Sequence, residues 1–237
     1  MPERPDVQLF AELAGERALN RTVETVSLRP EGMLQGTSEG TVRSALKGHR
    51  LTAVRRHGKH LFLRSGEERR RWLRLHFGMT GELVVYERED GAEPEHTRLR
   101  LDFRGGRSMA YRCPRKFGEI GLIDDPDAFV RQKGLGPDPW PGEPAPGEVG
   151  GSGESGSGAS PPGGFGLRDF RNALDGRTGA LKPTLMNQEV LAGLGNVYTD
   201  EALFHAGFHP ETPVDELSED GVAALWRGVR RVLEKAV

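Results

Sequence analysis

The sequence predicts an α+β fold, with an N-terminal antiparallel β-sandwich flanked by helices and a helical C-terminal domain. Three observations carry this. Between Thr22 and Tyr111, short runs alternate apolar with polar residues, and turn signals such as Ser65-Gly66 and Gly105-Gly106 separate them. Closely spaced strands without long helices between them imply an antiparallel sandwich or barrel. From Leu167 onward the apolar residues recur at helical spacing. Between the two lies a Gly/Ser/Pro tract with almost nothing to bury, residues 141–166. The expected organisation is therefore a β-rich domain over 1–140, a flexible linker over 141–166 and a helical domain over 167–237. A cleft between two such domains is a natural binding site.

The elements follow in order. Val7, Phe10, Leu13 and Ala14 share a helical face, with Pro5 and Asp6 suited to a first turn. Strands are expected at Val23–Leu28, Leu51–Arg56, His60–Arg64, Trp72–His76, Glu82–Glu87, Thr97–Phe103 and Ser108–Tyr111, with a short helix over Arg43–Leu46. Further helices are expected over Pro126–Lys133, Arg168–Leu174, Lys182–Ala192, Val197–His205 and Asp220–Ala236. The last carries Val222, Leu225, Val229, Val232 and Leu233 on one stripe.

Composition sets limits on function. A hydrophobic fraction of 35% with 29% charged residues suits a soluble globular chain. No apolar run approaches the roughly 20 residues that span a bilayer, and the N-terminus has no signal-like core. A single cysteine, Cys113, excludes an internal disulfide and a multi-cysteine metal site. A reducing, cytoplasmic setting is the default. The net charge of −2 argues against a polyanionic partner, but its distribution does not. Arg43 to Arg74 holds eleven Lys/Arg against Glu67 and Glu68. Such a segment creates a local anion-binding field or forms a solvated strand face.

Five places could carry chemistry. Removal of Met1 would leave Pro2 with a free secondary amine, which can attack a sugar or carbonyl carbon. Adjacent Glu3 could move protons. Lys59, in His57-Gly58-Lys59-His60, can meet a phosphate as a point charge. Met79 sits in a Gly-Met-Thr-Gly turn, either as an exposed wedge able to fill a gap in a base stack or packed beneath a hairpin. Arg115 and Phe117 lie in a loop after a strand, placed to stack on bases or to fold back on the core. Finally, Asn187–Pro210 reads as two helices joined by Gly193-Leu194-Gly195 that present Asn196. That shape suits a phosphate, or a helical hairpin whose glycines serve packing alone. P-loop, HExxH, GxSxG and CxxC signatures are absent.

Taken together and in order, MPERPDV, HGKHLFL, HFGMTGEL, RCPRKFG, GLGPD, LKPTLMNQ and LAGLGNVYTDEALFHAGFHP resemble the formamidopyrimidine-DNA glycosylase / endonuclease VIII family. The last segment resembles that family's helix–two-turn–helix motif. The resemblance implies a bifunctional glycosylase and abasic-site lyase that removes oxidised bases, including 8-oxoguanine and formamidopyrimidines. It implies Pro2 as nucleophile at C1′, Glu3 as acid/base, and Lys59 and Asn196 on the phosphates of the flipped nucleotide. Met79, Arg115 and Phe117 would fill the vacated stack, with His76 and Lys182 as further DNA contacts. It implies a Schiff base resolved by β,δ-elimination with no cofactor; no metal is expected, given the single cysteine. The expected partner is double-stranded DNA carrying oxidised bases or abasic sites. The chain is expected to be monomeric, free of membranes and associated with a bacterial nucleoid.

Three departures stand out. Arg4 and Asp6 replace the family's usual leucine and second glutamate, and Cys113-Pro114 replaces Asp-Pro ahead of the Arg-rich loop. The family's C-terminal four-cysteine zinc finger does not follow the last helix, from which weakened DNA binding is expected. GLGPD favours the formamidopyrimidine branch. The alternatives are an endonuclease VIII-like enzyme for oxidised pyrimidines, a non-catalytic binder of damaged DNA, and an RNA- or ribosome-associated helix–two-turn–helix protein.

Overall fold

The computed structural model describes residues 2–66, 71–90, 93–139 and 164–236. Most of the expected linker, 141–163, lies outside these residues, as do Arg69 and Arg70 of the basic segment. The chain divides into two compact units. Their described parts are residues 2, 6–66, 71–90 and 93–126 in the first, and residues 3–5, 127–139 and 164–236 in the second.

The first unit contains two sheets. One has the order β1 (Val23–Leu28), β7 (Thr97–Phe103), β8 (Arg107–Arg112), β6 (Glu82–Glu87), antiparallel throughout. The other has the order β2 (Leu34–Gln35), β9 (Glu119–Ile123), β5 (Arg71–His76), β4 (His60–Ser65), β3 (Leu51–His57). One core of Val23, Val26, Leu61, Leu63, Leu73, Leu75, Leu99, Leu101 and Phe103 joins them. Helix α1 (Arg4–Arg17) adds Val7, Ala11 and Ala14. Its buried stripe is thus narrower than Val7-Phe10-Leu13 suggests, because Phe10 and Leu13 are only partly covered.

The structure corrects three expectations here. Strands β2 and β9 were not anticipated: the first is two residues long and the second, EIGLI, is short and interrupted by Gly121. Their pairing is parallel, so the sandwich is not wholly antiparallel. Helix α2 begins at Glu39 rather than Arg43, since the Ser38 hydroxyl accepts the Thr41 N–H and caps it.

The basic segment is neither a continuous cationic face nor a solvated strand face. Arg56 donates from Nε to Gln8 Oε1 at 2.9 Å, Arg74 pairs with Glu119 at 2.7 Å, and Arg71 pairs with Asp124. Arg64 lies over the Trp72 ring. These four cations therefore serve internal contacts or intrachain pairs.

The second unit is built from α3 (Pro126–Gln132), α4 (Leu167–Leu174), α5 (Leu181–Met186), α6 (Asn196–Ala206) and α7 (Glu219–Lys235). Ser218 caps α7 through the Gly221 N–H, with Glu219 and Asp220 in its first turn and Lys235 in its last. Phe165, Phe170 and Trp226 pack as an aromatic cluster beside Leu225, Val229 and Leu233. Helix α5 stops at Met186, not Ala192. Asn187 leaves helical geometry and its Oδ1 accepts the Glu189 N–H, which starts a turn. Gly207 ends α6 in the left-handed conformation at φ 75°. Among the described residues no helix is long and apolar enough to cross a membrane.

Helices α6 and α7 cross at Gly228, where an added Cβ would lie 2.6 Å from the Ala202 carbonyl oxygen. Alanine gains up to about 1 kcal/mol in helix propensity, but overpacking against backbone costs about 1–3 kcal/mol. Gly228→Ala is therefore expected to lower the stability of this unit in urea denaturation despite the better helix former.

Candidate nucleic-acid interface

In the second unit, Glu3 precedes α1 directly, yet its carboxylate serves a different helix. It accepts the N–H of Gly195 at 2.7 Å, of Val197 at 2.9 Å and of Tyr198 at 3.3 Å, at the N-terminus of α6. Unpaired N–H groups and the helix dipole both favour an anion there. Here the anion comes from the chain's own N-terminal segment, so the Gly-rich turn does not leave these amides open. Glu3 is only 2% exposed. At Gly195 the φ of −132° is ordinary, but a Cβ would sit 2.5 Å from Glu3 Cδ, so a side chain there would displace the Glu3 carboxylate.

Gln188 shapes the turn that delivers these amides. Its Nε2 donates to the carbonyls of Met186 and Leu194, and its Oε1 accepts the Gly193 N–H. The Arg4 N–H donates to the Gly193 carbonyl at 3.0 Å. Asn196, the first residue of α6, is exposed. Lys182 is half-buried and pairs with Asp200 at 2.8 Å.

In the first unit, three elements meet at one end of the sheets. The β3–β4 turn places Gly58 at φ 54°, next to Lys59, which is 7% exposed. His60 faces His76 across β4 and β5, with ring centroids 4.9 Å apart. The Gly78 N–H donates to His76 Nδ1 at 3.3 Å, so in neutral His76 the proton is on Nε2. Burial holds His76 below the usual histidine range, opposed by Glu119 and reinforced by Arg74 and Lys59.

Two loops carry the remaining candidates, and the structure brings them together. The Arg115 N–H donates to Thr80 Oγ1 at 3.3 Å, and the Tyr111 hydroxyl donates to the His76 carbonyl at 2.9 Å. Gly78 lies against the Phe117 carbonyl and Gly118 against the Tyr111 hydroxyl, leaving no room for a Cβ at either glycine. Met79 is 44% exposed and Phe117 58% exposed. Neither packs beneath a hairpin or folds back on the core. The Arg115 guanidinium lies 5.1 Å from the Phe117 ring centroid. Beneath them, Phe77 packs on Phe10 and Tyr111.

Sequence reasoning missed Gln188, Thr80, Tyr111 and the destination of the Glu3 carboxylate. It also missed the partner of Arg4, which is Asp138. Among the described residues no group of three or more His, Cys, Asp or Glu could hold a metal ion.

The chain thus combines a two-sheet unit with two tied loops and a helical unit whose α6 N-terminus is capped by the chain's own third residue. Residues 1–120 match the family model for the formamidopyrimidine-DNA glycosylase N-terminal domain. Residues 163–237 match the model for the H2TH domain of the same enzymes. The chain belongs to the formamidopyrimidine-DNA glycosylase family. It is 34% identical to the formamidopyrimidine-DNA glycosylase of Roseiflexus sp., over all of this chain and 78% of the relative. Identity to that of Heliobacterium modesticaldum is 33%, over all of this chain and 79% of the relative. Among solved structures, Lactococcus lactis Fpg (MutM) with DNA containing N7-benzyl-Fapy-dG superimposes with a TM-score of 0.81. Its identity is 26%, covering 99% of this chain and 78% of that one. The same enzyme bound non-covalently to DNA containing an AP site gives a TM-score of 0.80 at 25% identity, covering 99% and 81%.

His76 yields a pH prediction. Its folded pKa lies below the ordinary histidine value. Folded and unfolded chains therefore differ in bound protons below that ordinary value, and stability is lost as pH falls through the folded pKa. His76→Gln is expected to flatten the stability–pH curve of the first unit in that acid window and to leave it unchanged above it, as urea midpoints across pH would show.

Proposed function

We propose that the chain is a bifunctional DNA glycosylase and abasic-site lyase of bacterial base-excision repair, acting on oxidised purines and formamidopyrimidines. The observation that best supports this is the Glu3 carboxylate held by three amides one residue after Pro2. A pure DNA binder has no need of a fixed carboxylate beside a secondary amine.

With Met1 removed, the Pro2 nitrogen lone pair attacks C1′ of the damaged nucleotide. The bond to the base breaks and the departing base takes a proton. The sugar ring opens to an iminium, with Glu3 as the group that moves protons at this centre. Loss of the C2′ proton then expels the 3′ phosphate by β-elimination, and δ-elimination expels the 5′ phosphate. Hydrolysis of the final imine releases Pro2. This chemistry uses no cofactor.

Lys59 and Asn196 are the groups we assign to the phosphates around the flipped nucleotide. Neutral His76 offers Nε2–H as a hydrogen-bond donor rather than a charge. Met79, Arg115 and Phe117 fill the space that the extruded base leaves. Their joint exposure on two tied loops supports this, since a large exposed apolar pair is otherwise unfavourable. Lys182 is the weakest assignment, because its pair with Asp200 must open before it reaches a phosphate.

Two measurements test the reading. The wild type, with Met1 removal verified by mass spectrometry, should form a covalent adduct with abasic-site duplex under borohydride, and Pro2→Gly should lose most of it. Absence of a wild-type adduct would sink the lyase assignment. Lys59→Ala should weaken DNA binding and reduce the slope of log affinity against log salt by about 1. An unchanged slope would remove Lys59 from the phosphates.

A further inference from the structure

We infer that Arg4 and Asp138 form a positioning pair that fixes the reacting N-terminal segment, with Arg4 acting through Glu3 on the Pro2 amine. The inference rests on the lyase reading above and adds a residue to it. Arg4 is fully buried, and its Nε donates to Asp138 Oδ1 at 3.0 Å, with the Asp138 side chain 3% exposed. Asp138 is itself firmly mounted. The Gly136 N–H donates to the Gln188 carbonyl, and the Ala192 N–H donates to the Pro137 carbonyl, both at 2.9 Å. A Cβ on Gly136 would meet the Val190 carbonyl oxygen at 2.6 Å, so segment 136–138 lies tight against the turn that leads into α6.

Residues 3 and 4 are therefore tied to one short stretch of the second unit in three ways. Glu3 binds the amides of 195–198, the Arg4 N–H binds Gly193, and the Arg4 side chain binds Asp138 beside that turn. Pro5 follows with its φ fixed by the ring. The Pro2 amine is left with little beyond its own ψ and the φ of Glu3.

Energetics favours a geometric role for the pair. Two buried charges gain little over apolar residues of similar volume, because desolvation offsets their attraction. A leucine at position 4, as the resembled family usually has, would serve packing. What the ion pair adds is direction: one guanidinium orientation satisfies Asp138.

The test replaces both charges together. The double variant Arg4→Leu/Asp138→Leu removes the pair without stranding either ion, and its melting temperature is expected to stay near that of the wild type. The single-turnover rate of borohydride-trapped adduct with saturating abasic-site duplex should fall at least about ten-fold, since small misplacements of a reacting group are costly. Affinity for a duplex with a non-reactive tetrahydrofuran abasic analogue should change less than about two-fold, because no phosphate contact is altered. Hydrogen exchange at the Gly195, Val197 and Tyr198 amides should accelerate. A folded double variant with wild-type rate and wild-type exchange overturns the proposal. If the double variant does not fold, Arg4→Lys carries the test: it keeps the charge and loses the fixed Nε geometry, and its rate should fall measurably below wild type. A wild-type rate there overturns the proposal as well. A wild-type chain that forms no adduct refutes the lyase reading instead, and amide exchange alone then decides whether the pair positions Glu3.

Discussion

The bond set between the Glu3 carboxylate and the N-terminus of α6 is the constraint on which the second unit depends. Its partners are 192 to 195 residues apart in sequence. It gathers donors that a helix cannot satisfy internally and gives them a full negative charge, which makes the hydrogen bonds stronger than neutral ones. Everything around it serves the approach. Gly195 has no side chain because a Cβ would strike Glu3, and Gln188 bends the chain so that three amides converge. The carboxylate is thereby held in one place.

The first unit uses the same device with different parts. Its two tied loops are joined by backbone approaches that only glycine allows, at Gly78 and Gly118, and by the hydroxyls of Thr80 and Tyr111. The rigid part lies below and the apolar tips lie outside. Phe77 is buried beneath, whereas Met79 and Phe117 stand in solvent. Burying such a side chain is worth about 1.5–3 kcal/mol, so leaving two exposed on stiff loops marks a surface shaped for something other than folding. A stacked base would recover that burial.

What could be read in the sequence follows from how far apart the cause and effect lie. The apolar-rich runs between turn signals located β4, β5 and β7 to within a residue or so, because residue type and turn chemistry are recorded locally. Ser218 and Gly207 sit at the ends of α7 and α6 because caps act within one turn. The end of α5 was hidden. LMNQEVLA has helical periodicity, and only the side chains of Asn187 and Gln188, turned onto the backbone, stop it. Strands β2 and β9 exist through pairing with distant partners rather than through composition. The Pro2-Glu3, Met79 and Arg115/Phe117 candidates were legible as motifs. The amides that hold Glu3, and the acid that holds Arg4, were not, since both contacts join the N-terminal segment to residues more than a hundred positions away.

The basic stretch of 43–74 shows why counting charges misleads. Arg56 and Arg74 have buried or part-buried partners, and Arg71 and Arg43 pair with Asp124 and Glu39, so at least four of that segment's cations are engaged within the chain. A net charge of −2 gives the chain no overall positive field to attract a polyanion. Affinity for a phosphate backbone must then come from few, well-placed groups. Selectivity must come from what the duplex allows once it is bent or a base leaves the stack. A damaged or missing base lowers the cost of that deformation. The loops of the first unit carry two exposed apolar tips and one guanidinium, which would act on that difference under the proposed reading.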